Sequence, residues 1–244
     1  NHLTRLCLDQ VNGRVPVIVT ISHFATPIAI TRAQLARDLG ASVVMMMPPY
    51  HGALLKGNAE QTFEQIKAVG DVGIPIMIQD APLSGVDLPV SLLAKMANEI
   101  EMVKLFKIES AGAANKLKQL LAIGGAAIEG PFDGEEGITL LADLDAGATG
   151  SMTSALIPDL IGPIINAHLS GNRDIAKTSY QQVLPIINYE NRQCGFRGTK
   201  AAMLKGRVIK SDFSRHPIQS LDPVSYTHLR AHETLRYLVC RLLL

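Results

Sequence analysis

The 244-residue sequence has no tryptophan, and aromatic residues make up only 5% of it. Platforms that stack nucleic-acid bases need such rings, so their scarcity argues against that class. Charge is sparse as well, at 18%, and nearly balanced at a formal +1. No basic block suits a phosphate backbone: the cations from Arg192 to Lys210 are spread over a partly helical pattern, with Gly and Ala between them. The three cysteines, Cys7, Cys194 and Cys240, are too few and too scattered for a disulfide framework or a zinc site. That usage fits a reducing cytoplasm. No apolar run reaches the length of a membrane span, and no signal-peptide pattern is present. Neither GxGxxG nor GxxxxGK[ST] occurs, which weakens a nucleotide-binding reading.

What is present is a hydrophobic content of 47%, enough for the core of one large α/β domain. Strand and helix signals alternate, and the strands are apolar on both faces, as in a parallel sheet with crossover helices. Strands are expected at residues 15–22, 42–47, 74–79, 102–109, 127–130 and 148–153. Helices are expected at 27–39, 59–69, 89–100, 113–123, 135–145, 159–169, 174–189 and 199–204, with Asn58 as the N-cap of the second. The chain also begins inside a helical pattern. Six βα units of this spacing suit either an open doubly wound sheet or part of an eight-fold barrel.

Lys107 is the most informative residue. It lies in MVKLFKIE (102–109), a run that otherwise reads as a buried strand. Side chains alternate along a strand, so Val103, Leu105, Lys107 and Glu109 share one face, while Lys104, Phe106 and Ile108 share the other. Burying a lone lysine is costly unless it loses its charge or finds a partner. A desolvated lysine can attack a carbonyl and form a Schiff base. The plainer alternative is a Lys107–Glu109 ion pair at a half-exposed strand end.

In a barrel, chemistry gathers at the C-terminal ends of the strands. Those ends carry Thr20, Ser22 and His23; Tyr50 and His51; Gln79, Asp80 and Ser84; Lys107 and Glu109; Phe132 and Asp133; Ser151 and Thr153. Individually each has a structural alternative. Asp80 and Ser84 could cap a turn, Asp133 could cap the helix after it, and His51 could be a turn residue.

The strings NGRVPVIVTIS (12–22), MMMPPYHG (45–52), IQDAPLSG (78–85) and LFKIES (105–110) together resemble the dihydrodipicolinate synthase / N-acetylneuraminate lyase family. Within it, PPYHGALLKG, QDAPLSGV, KIES, FDGEEGITL, GATGSMTSALIPDLI and VIKSDFSRHPI look most like the 2-keto-3-deoxy-L-arabonate dehydratases. The resemblance implies a (β/α)8 TIM barrel that forms a Schiff base with 2-keto acids, without metal or cofactor. It matches Lys107 to the family's Schiff-base lysine and Tyr50 to a tyrosine in a PYYN-like turn. The family's catalytic tyrosine in a YNVP-like segment has no counterpart here, where Ile78 or Gln79 stands at that place. That departure favours dehydration over aldol chemistry.

Read this way, Lys107, Glu109 and Tyr50 are the catalytic candidates, and Gln79, Asp80, Ser84, His51 and Ser151 the substrate-binding candidates. The function implied is dehydration of a 2-keto-3-deoxy sugar acid, in the arabonate case to 2-oxoglutarate semialdehyde. The alternatives are a class I aldolase or synthase of the same family and an inactive truncated fragment. The implied partner is a small 2-keto acid, with no nucleic acid and no membrane, and the parent protein is expected to be a homo-oligomer.

The resemblance covers roughly residues 1–223 and lacks the family's GTTGE-like turn. A full barrel has eight units, so about 60 residues, the first two units, are expected to be missing. Residues 224–244 share nothing with the family and resemble translated adapter sequence. The other reading of that tail is an amphipathic helix with Leu229, Leu235, Leu238, Val239 and Leu242 on its apolar side.

Overall fold

The computed structural model describes residues 2–52 and 54–231. Six strands form one sheet: β1 (Ile18–Thr20), β2 (Val43–Met46), β5 (Ile76–Asp80), β6 (Val103–Ile108), β7 (Gly130–Asp133) and β8 (Gly150–Ser151), adjacent in that order. A short antiparallel hairpin, β3 (Tyr50–His51) with β4 (Leu55–Lys56), follows β2. The pairs β1–β2, β2–β5, β5–β6 and β6–β7 are all parallel. Sheet neighbours run in strict sequence order, with no point where the order reverses. That is the succession of a (β/α)8 barrel and not of a doubly wound sheet, in which the order reverses at a switch point. The fold is an incomplete barrel of six βα units.

The chain divides into two compact units. The first is Asn1–Gly134 with Asp145–Gly150. It holds α1 (His2–Val11), α2 (Thr26–Asp38), α3 (Ala59–Gly70), α4 (Val90–Glu99) and α5 (Ala113–Gly124). Each crossover helix forms for a local reason. Asn58 accepts the Gln61 amide at 2.8 Å and Gln61 Oε1 accepts the Asn58 amide at 3.0 Å, a reciprocal capping box that starts α3. Phe63, Ile66 and Val69 then bury one helical stripe. Leu93, Met96 and Ala97 do the same for α4, and Leu117 and Leu120 for α5. Phe106 and Ile108 on β6 are fully buried, and α4 and α5 both pack on that strand.

The second unit comprises Glu135–Leu144 and the chain from Ser151 onward. It contains α7 (Pro158–Leu169), α8 (Arg173–Tyr189), α9 (Phe196–Lys205) and α10 (Pro223–Ala231), while α6 (Leu140–Asp145) spans the boundary. Helix α8 continues into a π-helical turn, Glu190–Cys194, whose Glu190 carboxylate is buried and accepts hydroxyls from Ser154, at 2.8 Å, and from Thr199. Tyr180 donates to the Gly137 carbonyl at 2.9 Å and ties the 135–139 turn to α8.

Several boundaries differ from expectation. The strand expected at 127–130 lies at Gly130–Asp133 instead, and 125–127 is a short 3-10 turn. The apolar alanines of AAIEG suggested a strand, but the glycine is what the packing needs. A side chain at position 130 would come within 2.9 Å of Leu105 and 3.1 Å of the Phe132 ring. The helix expected from Glu135 starts only at Leu140, because Glu136 and Gly137 both adopt positive φ. The β3–β4 hairpin was not foreseen. Of the tail at 224–244, residues 232–244 and Cys240 lie outside the described residues. The described part belongs to α10, where Tyr189 donates to the Ser225 carbonyl at 3.0 Å and its ring meets His228.

Candidate active site

The register between β5 and β6 contains a one-residue slip. Ile76 lies opposite Val103, but Met77 lies opposite Leu105, leaving Lys104 as the extra residue. Lys104 pairs with Glu129 at 3.0 Å. Beyond the slip, Gln79 lies opposite Lys107, and Lys107 lies opposite Phe132 on β7. Paired residues of adjacent strands point to the same side. Gln79, Lys107 and Phe132 therefore form a row across three strands.

Lys107 is only 6% exposed. Its ammonium donates to Glu109 Oε2 at 2.7 Å, and the Gln79 side-chain amide donates to the same oxygen at 2.8 Å. The Glu109 side chain, just beyond the strand, keeps 27% of its surface exposed. A buried amine is thus held against a carboxylate that reaches solvent. Such an arrangement can hand a proton from the amine to the carboxylate and expose a nitrogen lone pair to an electrophile. The Gln79 amide fixes the rotamer of that carboxylate.

Asp80 lies on the opposite face of β5, opposite Ile108. It is 3% exposed, and its Oδ2 accepts the Ser110 hydroxyl at 2.9 Å and the Lys116 ammonium at 2.8 Å. Asp87 lies further from Lys116, at 3.8 Å. The Asp80 main-chain carbonyl accepts the Glu109 amide at 2.9 Å. Ser84 is buried in the turn after β5, where its hydroxyl approaches the Ala81 carbonyl at 3.0 Å and accepts the Val86 amide at 3.1 Å. Asp80 and Ser84, both expected among the substrate-binding residues, thus have their side-chain oxygens engaged by the protein itself. The reason is strand parity for Asp80 and the tight turn for Ser84.

Tyr50 is half-buried and His51 exposed, both on the hairpin that follows β2. Ser151 ends β8 and belongs to the second unit. Gly134 escaped the sequence reading. It follows β7 and donates its amide to the Ile108 carbonyl at 2.9 Å, so close that a Cβ there would lie 2.7 Å from that oxygen and 3.0 Å from Glu109 Cβ. Its signal in the sequence was the FDG step at the strand end.

Among the described residues, no group of three or more His, Cys, Asp or Glu could hold a metal ion. No described helix is long and apolar enough to cross a membrane. A cavity of about 460 Å³, lined by Leu8, Asn12, Arg14, Val17 and Ser42 among others, opens at the N-terminal end of β1 and β2, the end away from Lys107. Its arginine is already bonded to the Val11 and Gln10 carbonyls.

The dihydrodipicolinate synthetase family model matches residues 1–234. The chain belongs to this family. It is 54% identical over 230 residues to the L-2-keto-3-deoxyarabonate dehydratase of Azospirillum brasilense, covering 94% of this chain and 74% of that one. It is 30% identical over 222 residues to the 4-hydroxy-tetrahydrodipicolinate synthase of Nitrobacter hamburgensis, covering 89% and 72%. Its fold superimposes on the crystal structure of a dihydrodipicolinate-synthetase-like protein from Pseudomonas aeruginosa with a TM-score of 0.87 and 30% identity, over 96% of this chain and 80% of that one.

Proposed function

We propose that the protein is a class I dehydratase of a 2-keto-3-deoxy sugar acid, acting on 2-keto-3-deoxy-L-arabonate. The observation that carries this reading is the buried Lys107 ammonium held at 2.7 Å by Glu109. The 54% identity to an L-2-keto-3-deoxyarabonate dehydratase supports the choice of substrate.

Lys107 passes a proton to Glu109 and attacks the C2 ketone. Loss of water from the carbinolamine, with Tyr50 relaying the proton from Glu109 to the departing hydroxyl, leaves a protonated imine and an ionised Glu109. The cation draws electrons from C3 and makes its hydrogens acidic. Glu109 removes one of them to form an enamine. The enamine electrons return to the imine as the C4 hydroxyl leaves with a proton, releasing water. A proton lost from C5 and one gained at C3 leave a C4–C5 enol; its hydroxyl then gives up a proton as C4 takes one, which makes C5 an aldehyde, and hydrolysis frees Lys107. The net change is loss of one water, giving 2-oxoglutarate semialdehyde. Gln79 keeps Glu109 in place, while His51 meets a substrate hydroxyl.

The 30% identity to a 4-hydroxy-tetrahydrodipicolinate synthase keeps a carbon–carbon lyase or synthase as the second reading. Product analysis separates the two: the dehydratase yields the semialdehyde, whereas an aldolase yields pyruvate and an aldehyde. We extend the proposal to a cytoplasmic homo-oligomer, a setting that fits the free thiols of Cys7 and Cys194; light scattering tests the assembly.

Trapping tests the Schiff base. Borohydride with pyruvate should add the substrate mass irreversibly to the peptide containing Lys107 and leave Lys104 unlabelled. Lys107→Arg keeps the charge but removes the nucleophile. It should abolish the label and lower turnover by several orders of magnitude. Near-normal turnover in that variant would leave Lys107–Glu109 as a plain ion pair.

A further inference from the structure

We infer that Asp80, Lys116 and Ser110 act together as a positioning brace that holds Glu109 over the reacting carbon during the proton-transfer step. The inference rests on the Schiff-base reading above and goes beyond it, because none of the three residues lies on the Lys107 face of the sheet.

Glu109 lies just past the end of β6, where the strand no longer dictates its position. A carboxylate that must reach both the amine and a carbon-bound hydrogen needs its main chain held from outside the strand. The hold comes from the end of the neighbouring strand. The Asp80 carbonyl takes the Glu109 amide at 2.9 Å, and the Asp80 carboxylate takes the hydroxyl of the next residue, Ser110, at 2.9 Å. Two consecutive residues are therefore clamped by one aspartate.

That aspartate is itself fixed. It is 3% exposed, and the Lys116 ammonium lies 2.8 Å from the same oxygen that receives Ser110. The Lys116 side chain is only 14% exposed. A buried carboxylate without a cation would be costly, so the Lys116 ammonium offsets the burial of Asp80 and holds it in place. Lys116 stands in the first turn of α5, so the brace ties the β6–α5 connection to both elements that flank it. Gln79, the residue before Asp80, meanwhile grips the Glu109 side chain from the catalytic face at 2.8 Å. Adjacent residues of β5 thus both hold Glu109, Gln79 through its carboxylate on the Lys107 face and Asp80 through its backbone within the sheet.

At saturating pyruvate the imine still accumulates when Glu109 is displaced, whereas removal of the carbon-bound proton slows, so pyruvate separates these steps. Pyruvate condenses with Lys107 by losing water. Its methyl C–H bond then breaks, with the proton going to Glu109 and the electron pair into the enamine. Reprotonation in D2O places deuterium on that carbon. The test compares Ser110→Ala, Asp80→Asn and Lys116→Met with the unaltered chain in two assays: borohydride trapping at saturating pyruvate, and methyl hydrogen exchange followed by NMR. Ser110→Ala removes one half-exposed hydroxyl and keeps the buried ion pair, so it carries the test even if either charge variant fails to fold.

The expected result is a label on Lys107 that persists in every folded variant, with exchange slowed about tenfold to a hundredfold, the loss that displacement of a catalytic group by up to an ångström produces. For the sugar acid, kcat should fall while KM stays. Ser110→Thr, which keeps the hydroxyl, should restore exchange. Unchanged exchange in Ser110→Ala overturns the brace. So does a raised KM with unchanged kcat confined to Asp80→Asn, which would make Asp80 a direct substrate ligand. Failure of the unaltered chain to label at Lys107 refutes the Schiff-base reading itself, a result distinct from either.

Discussion

Replacing Gly134 by alanine would put a methyl carbon 2.7 Å from the Ile108 carbonyl oxygen, 2.9 Å from its carbon and 3.0 Å from Glu109 Cβ. Favourable contact between heavy atoms begins near ~3.5 Å, so the strand ends must part by roughly 0.5–0.8 Å. Two of the three obstructing atoms are backbone, which cannot swing aside as a side-chain tip would. The movement strains the Gly134 amide bond to the Ile108 carbonyl, now 2.9 Å, and carries Glu109 with it. Overpacking of this kind costs about 1–3 kcal/mol. For a chain this long each kcal/mol lowers the melting midpoint by about 2–4 °C. The kinetic effect should be larger in proportion, because a catalytic group displaced by up to an ångström loses about tenfold to a hundredfold in rate. Calorimetry measures the first quantity, and turnover of the 2-keto-3-deoxy acid the second. An unchanged midpoint together with unchanged turnover would refute the claim that this close approach positions Glu109.

Further outcomes follow from other contacts. Glu109→Gln leaves a side chain that can still meet Lys107 but cannot take its proton. Turnover should fall about 10²–10⁴-fold, as the product assay will read. The Asp222 carboxyl is held below its ordinary range, first by the Ser225 side chain and then by the Ser225 amide, which donates to it at 2.8 Å. A lowered folded value means that its stabilisation of the α10 start is present above the ordinary carboxylate range near ~4. It should vanish as acidification passes through the lowered value, seen as a shift of the Ser225 amide resonance that Asp222→Ala abolishes. We also propose that residues 224–244 are not part of the enzyme domain at 1–223. Their removal forfeits, among described contacts, the Tyr189–Ser225 hydrogen bond, 3.0 Å long, the Ser225 amide bond to Asp222 and the Tyr189–His228 ring contact. A net loss of about 1–3 kcal/mol is then expected. That corresponds to a melting shift of several degrees, and a much larger drop would make the tail a true part of the fold.

The sequence alone carried much of what is periodic or local. Alternation within 102–109 put Lys107 and Glu109 on one face, and the structure joins them at 2.7 Å. Asn58 announced its helix because a capping box needs only four consecutive residues. Apolar strands alternating with amphipathic helices carried the parallel sheet, since a strand buried on both faces must be covered by its own crossovers. Register between strands is another matter. Ile76 and Val103 are separated by more than one whole helix, and no local pattern records that the β6 strand spends an extra residue at Lys104. Without that slip, Gln79 would lie opposite Phe106, one residue out of step, and its side chain would face away from Lys107. The same parity sends Asp80 to the far face, where Lys116 and Ser110 wait for it. Residue types and their spacing thus named the amine and its carboxylate. Hydrogen bonding between segments distant in the chain decided which neighbours hold that carboxylate in place, because only the folded sheet aligns one strand against the next.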